Sequence, residues 1–139
     1  MKVTKTDLYN AVDVESLSMC GVNTEIKLFR EGFRGEKLGE EINREKDFLK
    51  ECFEEFQFSC DFLSKCKKRK TPNEKMGSYK LKHFVEKWAD MYISNGAFIA
   101  AVIHCQIPYK KYNDSPNISV AISSRCSFYK EQAKKYYGY

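Results

Sequence analysis

The sequence predicts a mainly α, α+β fold: a small helical domain with one long helix, a helix-turn-helix-like pair, a short β-hairpin and a C-terminal helix. Three observations lead there. Residues 40–67 repeat apolar side chains at helical spacing, residues 78–105 read as an amphipathic helix followed by an apolar one, and residues 107–123 alternate like strands around a turn. A chain of 139 residues fits a single domain, 1–139, since folding removes roughly two-thirds of the unfolded surface from water at this size. Ten Phe, nine Tyr and one Trp predict a core packed on rings.

Residues 3–17 carry a short helical pattern, with Thr6 as cap and Leu8, Ala11 and Val12 on one side. Asn23 or Thr24 starts a second short helix through Ile26 and Phe29, which Gly32 and Gly35 end in a turn anchored by Phe33. From residue 40 to 67, Ile42, Leu49, Phe56 and Leu63 recur every seven residues, with Cys52, Phe53, Cys60 and Cys66 beside them. The pattern predicts one long helix across the core. A dimerising helix is the alternative, although Glu45 and Ser59 at seam positions make a poor zipper. The helix is expected to finish in Lys65, Lys67, Lys68, Arg69 and Lys70, whose charges complement the negative end of its dipole, and Pro72 stops it.

In the next helix Leu81, Phe84, Val85, Trp88, Met91 and Tyr92 form the buried face, and Lys80, Lys82, His83, Glu86, Lys87 and Asp90 stay outside. Ser94 then caps a helix that is apolar at every position from Ala97 to Ile103. A helix without a polar side must be wrapped by other elements, so this one is expected to be the central post. Residues 107–112 and 118–123 make the hairpin around the turn formers Asn113, Asp114, Ser115 and Pro116. A last helix, residues 128–137, interleaves Lys130, Lys134 and Lys135 with Tyr129, Tyr136 and Tyr137.

Charge divides the chain. Residues 1–64, an acidic helical front end, carry −5; residues 65–87 carry +7 and residues 88–139 carry +3. The front end is followed by a basic module over 65–124 and a basic aromatic tail helix over 125–139. Two cations would satisfy a helix dipole; the excess in 65–87 costs mutual repulsion and points to an anionic partner, against the alternative of a solvated face. The expected nucleic-acid contacts are Lys67, Lys68, Arg69, Lys70, Lys80, Lys82, His83 and Lys87, with Lys110 and Lys111 on the hairpin. Helix, turn, capped helix and hairpin follow the order of a winged helix-turn-helix. Yet the second helix offers base edges no donor, so contact is expected with phosphates. Ser94, Asn95 and Gly96 open that helix, where free N–H groups either take an anion or form an ordinary cap with a close-packed glycine.

His83 and His104 are the only histidines, and neither falls in a set with a nucleophile and an orienting carboxylate. No phosphate-cradling glycine loop, C-x-x-C pair or paired histidine spacing occurs. The expectation is a non-enzymatic protein with no catalytic residues, no metal and no cofactor. Six cysteines are expected as thiols, mostly buried, in a cytoplasmic protein. The first residues lack an apolar signal region, and no apolar run nears the roughly 20 residues that cross a bilayer.

The strings CKKRKTPN, SYKLKH, VEKW, YISNGAFIAA and SPN lie within residues 65–124. Through them this part of the chain resembles an uncharacterised family of short bacterial proteins encoded on phages, plasmids and integrative elements, with Met76-Gly77 and Val102 as small departures. The resemblance implies an accessory protein of a mobile genetic element. Such proteins act on DNA, on host defence complexes or on each other. The expected partner is nucleic acid or a host nucleic-acid-binding protein complex, with no membrane, and with a homodimer through the 40–67 helix as a further expectation. The leading expectation is a small accessory protein that binds nucleic acid through its basic surface. The alternative is a protein-binding inhibitor or adaptor, such as an anti-defence (anti-CRISPR-like) protein, which the acidic front end favours.

Overall fold

The computed structural model describes residues 2–138 and builds them around the apolar helix at Asn95–His104. In chain order the elements are α1 (Lys5–Glu15), α2 (Thr24–Arg30), α3 (Gly35–Lys50), α4 (Phe53–Ser64), β1 (Lys68–Gly77), α5 (Ser78–Ala89), α6 (Asn95–His104), β2 (Tyr109–Lys111), β3 (Ile118–Ile122) and α7 (Ser127–Tyr137). The result is a mainly helical α+β fold with a three-stranded antiparallel sheet in the order β1-β3-β2. Among the described residues no helix is long and apolar enough to cross a membrane.

Helix α6 is buried from Asn95 to Val102, with α1, α4 and α5 packed against it. Its first turn is the tightest place in the fold. Ser94 Oγ accepts a hydrogen bond from the Ala97 N–H at 3.1 Å, which is the expected cap. The Gly96 N–H donates to the Met19 carbonyl at 3.0 Å, and a Cβ on Gly96 would lie 1.9 Å from the Ser18 oxygen. The turn that makes this approach is pinned by reciprocal Ser18–Gly21 backbone bonds of 3.1 Å. Gly21, at φ +129°, leaves the same lack of room against the Pro116 oxygen. One hydrophobic cluster runs from Val3 to Tyr129 through α6, and rings fill much of it. Trp88 meets Phe58, Phe62 and Phe128 edge-on at 5.7–6.4 Å, and Phe84 packs on Tyr129 and Tyr136.

The expected long helix is two. The chain breaks at Glu51 and Cys52, where Cys52 takes φ −96°, ψ 45° and its N–H turns back to the Leu49 carbonyl. Leu49, Phe56 and Leu63 are nevertheless all buried, because the break preserves the phase of the repeat. Helix α1 is capped by Thr4 rather than Thr6: Thr4 Oγ1 accepts from the Asp7 N–H while Asp7 accepts from the Thr4 N–H, a reciprocal capping box. Leu28, not Ile26 or Phe29, is the buried apolar residue of α2. Gly35 opens α3 rather than ending the turn before it.

The basic run is not the end of a helix. Helix α4 stops at Ser64, and Lys68 begins an edge strand whose register against β3 slips twice between Lys68 and Gly77. Pro72 is tolerated because an edge strand leaves N–H groups unpaired, and lysines and bulges also deter edge-to-edge association. The hairpin forms as expected, with Tyr109 opposite Val120 and Lys111 opposite Ile118. All five residues of β3 are buried, since as the central strand it is covered on both faces. Cys60 and Cys66 are buried and Cys20 is exposed; burial pushes the Cys52 and Cys66 thiols up to about 12, so they stay protonated and behave as small hydrophobes.

A Gly96→Ala chain is expected to lose about 3 kcal/mol or more, because Ser18 backbone must move to admit the methyl group. Gly39→Ala, inside exposed α3 with nothing near its Cβ, is expected to gain about 0.5–1 kcal/mol. Chemical denaturation of both variants checks the contrast. Equal midpoints would remove the first turn of α6 from its place as the fold's tightest constraint.

Candidate functional site

Strand β1 and the turn between β3 and α7 enclose an open groove of about 560 Å³ lined by Lys67, Arg69, Asn73, Lys75, Ser123, Ser124 and Arg125. The turn is held to the strand by the Ser123 N–H, which donates to the Lys67 carbonyl at 2.8 Å. Ser123 Oγ accepts in turn from the Arg125 N–H at 3.1 Å, which brings Arg125 to the groove. Four of the seven lining residues are cations and none is an acid. The four come from two separate elements, so the charge is concentrated by the fold and not by sequence adjacency alone.

Most of the other expected contacts are engaged elsewhere. Lys68 Nζ donates to the Leu63 carbonyl at 3.2 Å, which also accepts from the Cys66 N–H at the end of α4. Lys80 Nζ donates to the Lys75 carbonyl at 2.6 Å, and burial lowers its pKa. Lys111 Nζ meets Glu15 Oε1 at 2.8 Å, while Glu15 Oε2 accepts from the Tyr109 hydroxyl at 2.5 Å. Lys110 lies 3.9 Å from Glu74. Lys70 and Lys87 are exposed but outside the groove. Ion pairs thus engage Lys82, His83, Lys110 and Lys111, and among the described residues none engages the four groove cations.

Lys82 departs furthest from the expected pattern. Helical periodicity puts it outside, yet it is only 5% exposed. Its ammonium sits 5.2 Å from the Tyr79 ring, 4.9 Å from the Tyr92 ring and 3.4 Å from Glu86 Oε2. Tyr92 lies beyond the end of α5, so the helical phase no longer governs it, and it turns outward at 62% exposure. Glu86 Oε1 meets His83 Nδ1 at 2.5 Å, and Oε2 also accepts from the Ile93 N–H at 3.1 Å. Burial alone would raise the Glu86 carboxyl. The Ile93 N–H, His83 and Lys82 outweigh it and hold the group below its ordinary 4.5.

Ser94, Asn95 and Gly96 are buried, and protein acceptors take their donors. The Ser94 N–H donates to Glu55 Oε1 at 2.6 Å, so a carboxylate of the chain itself occupies the positive end of α6. Asn95 Nδ2 donates to the Cys20 carbonyl at 2.7 Å and to Asn117 Oδ1 at 2.9 Å.

Arg125, Ser123, Ser124 and Asn73 are groove residues that the sequence gives no means to find. Ser123, Ser124 and Arg125 reach Lys67 and Arg69 only through the β1–β3 pairing, and a strand reading KRKTPNEKMG has no alternation and only Thr71 as β-branched content to announce it. No protein-family model, curated protein or solved structure matches the chain.

The lowered Glu86 pKa implies a stabilisation that is full above about pH 4.5 and is lost as pH falls through the folded-state value. Glu86→Gln is expected to lower the melting temperature at pH 7 by roughly 3–8 °C. The difference from the unsubstituted chain should then shrink toward about pH 3. Thermal melts across that range provide the measurement; a gap independent of pH would show that the carboxylate stabilises through packing and not through its charge.

Proposed function

We propose that the protein is a small non-enzymatic accessory protein that binds nucleic acid by its phosphate backbone in the groove between β1 and the β3–α7 turn. One observation carries this reading: Lys67, Arg69, Lys75 and Arg125 converge on one concave surface with no carboxylate among the lining residues. Edge-strand protection accounts for lysines on β1, but it gives no reason for Arg125 to arrive from another element. Mutual repulsion among the four cations is offset by an anion with several phosphates. The reading agrees with what the resemblance of residues 65–124 to proteins of mobile elements implies. It uses Lys67 and Arg69 from the expected set and replaces the hairpin lysines with Lys75 and Arg125.

A second reading has its own observation. Along α3 and at Glu51 just past its end, Glu40, Asp47 and Glu51 line an open hollow of about 520 Å³ together with Arg44, whose guanidinium lies 5.5 Å from the ring of Phe48, itself 53% exposed. Three carboxylates against one guanidinium leave the hollow acidic around an exposed ring, which suits a basic protein partner, as an inhibitor or adaptor would require.

Anisotropy titrations with labelled single- and double-stranded oligonucleotides at two salt concentrations test the first reading. With four phosphate contacts, affinity is expected to fall about 100-fold between about 50 and 200 mM salt. The Lys67→Glu, Arg69→Glu, Lys75→Glu, Arg125→Glu chain should lose binding altogether. Absence of binding by the unsubstituted chain at the lower salt would reject the groove as a nucleic-acid site, as would unchanged affinity of the substituted chain.

A further inference from the structure

A second cavity, of about 680 Å³, opens between α5 and the segments at Met19–Cys20 and Pro116–Asn117. Tyr79 and Tyr92 line it, at 56% and 62% exposure, with the Lys82 ammonium between their rings. The electrostatics of that ammonium are incomplete. It has three N–H donors and is almost fully buried, which is costly for a charge unless it is closely paired. Its carboxylate partner is shared: Glu86 binds His83 at 2.5 Å and the Ile93 N–H at 3.1 Å, and leaves Lys82 a contact of 3.4 Å, at the outer limit of a hydrogen bond. Asn95, 6% exposed, also lines the cavity, and its Oδ1 has no donor among the described residues. A cation short of an acceptor and two exposed tyrosines therefore face the same space, while the Asn95 Oδ1 is sealed beneath it.

We infer that this cavity is a small-molecule site for a nucleoside monophosphate or a ligand of that chemistry: a heteroaromatic ring with one anionic group. The ring stacks on Tyr79 or Tyr92, which present large faces at little entropic cost. The anionic group completes the coordination of Lys82 Nζ beside Glu86 and His83, which line the same cavity. The volume lies within the range of pockets that enclose ligands of this size. An ammonium already held between two rings by a long ion pair is preorganised for an anion, so little side-chain ordering opposes binding. The site is independent of the phosphate-backbone reading. It is built on α5 and the residues before β3, whereas the groove lies at the start of β1 and the far end of β3.

Calorimetry with adenosine monophosphate is the test, with adenosine and inorganic phosphate as the separated halves. Saturable binding is expected for the nucleotide, with each half bound at least about tenfold more weakly. Tyr92→Ala, an exposed position whose loss leaves the core intact, should weaken the nucleotide about tenfold or more. Lys82→Met, which keeps the length of the side chain, should weaken it further. Lys67→Glu with Arg69→Glu should leave the affinity unchanged, which separates this site from the groove. The nucleotide should also slow alkylation of Cys20, which lines the cavity and is exposed. Lack of saturable binding by the unsubstituted chain would overturn the inference. So would binding that Tyr92→Ala leaves intact, or binding that leaves the alkylation of Cys20 unchanged.

Discussion

The rest of the structure depends on the seat of α6, where backbone meets backbone with no side chain between. The Gly96 N–H on the Met19 carbonyl fixes the axial position of the post, and the absence of a Cβ at Gly96 fixes its distance from residue 18. Three distant segments close on that point: the turn at 18–21, Glu55 near the start of α4, and the residues before β3 through Asn95 and Asn117. An apolar helix has no directional bonds along its sides, so its rotation and height must be set at an end. Burying Phe98, Ile99 and Val102 supplies energy, on the order of 1.5–3 kcal/mol per side chain, but the first turn supplies position.

That seat also settles the distribution of charge. The positive end of α6, which in sequence allows either an anion or an ordinary cap, is met by Glu55 from the acidic front end. Glu15 of the same front end holds Lys111 and accepts from Tyr109, whose hydroxyl burial and Glu15 together keep protonated. The front end thus neutralises the hairpin side of the sheet. What it does not reach is the opposite edge, where β1 meets the β3–α7 turn, and there Lys67, Arg69, Lys75 and Arg125 remain without acidic partners among the lining residues. A net charge of +5 becomes a localised field because the acids are placed to cancel one side and not the other.

Much of this was legible in the residues, for stated reasons. The post was legible because seven apolar residues in a row after a serine cap allow few other outcomes, and the hairpin because turn formers separate two short apolar segments. The break at Cys52 was not, because no proline or glycine marks it and the heptad residues stay in phase across it. Strand β1 was hidden by composition, since lysines and a proline argue against a strand unless its position at an edge is already known. Lys82 was misplaced because periodicity describes a helix alone. Tyr92 lies past the end of that helix, and its ring encloses a residue that the helix by itself would expose.

Lysine therefore does two different things in this molecule, and ionic strength separates them. The groove cations sit on an open surface, where a potential decays over about 10 Å at 0.1 M salt and where several together are needed to hold a phosphate chain. Lys82 is enclosed by rings and a carboxylate, so salt screens it far less. On the two binding proposals, a polyanion would gain little from the enclosed site and a mononucleotide little from the groove. Selectivity between the two proposed classes of anion would then follow from burial, with lysine in both places and arginine in the groove alone.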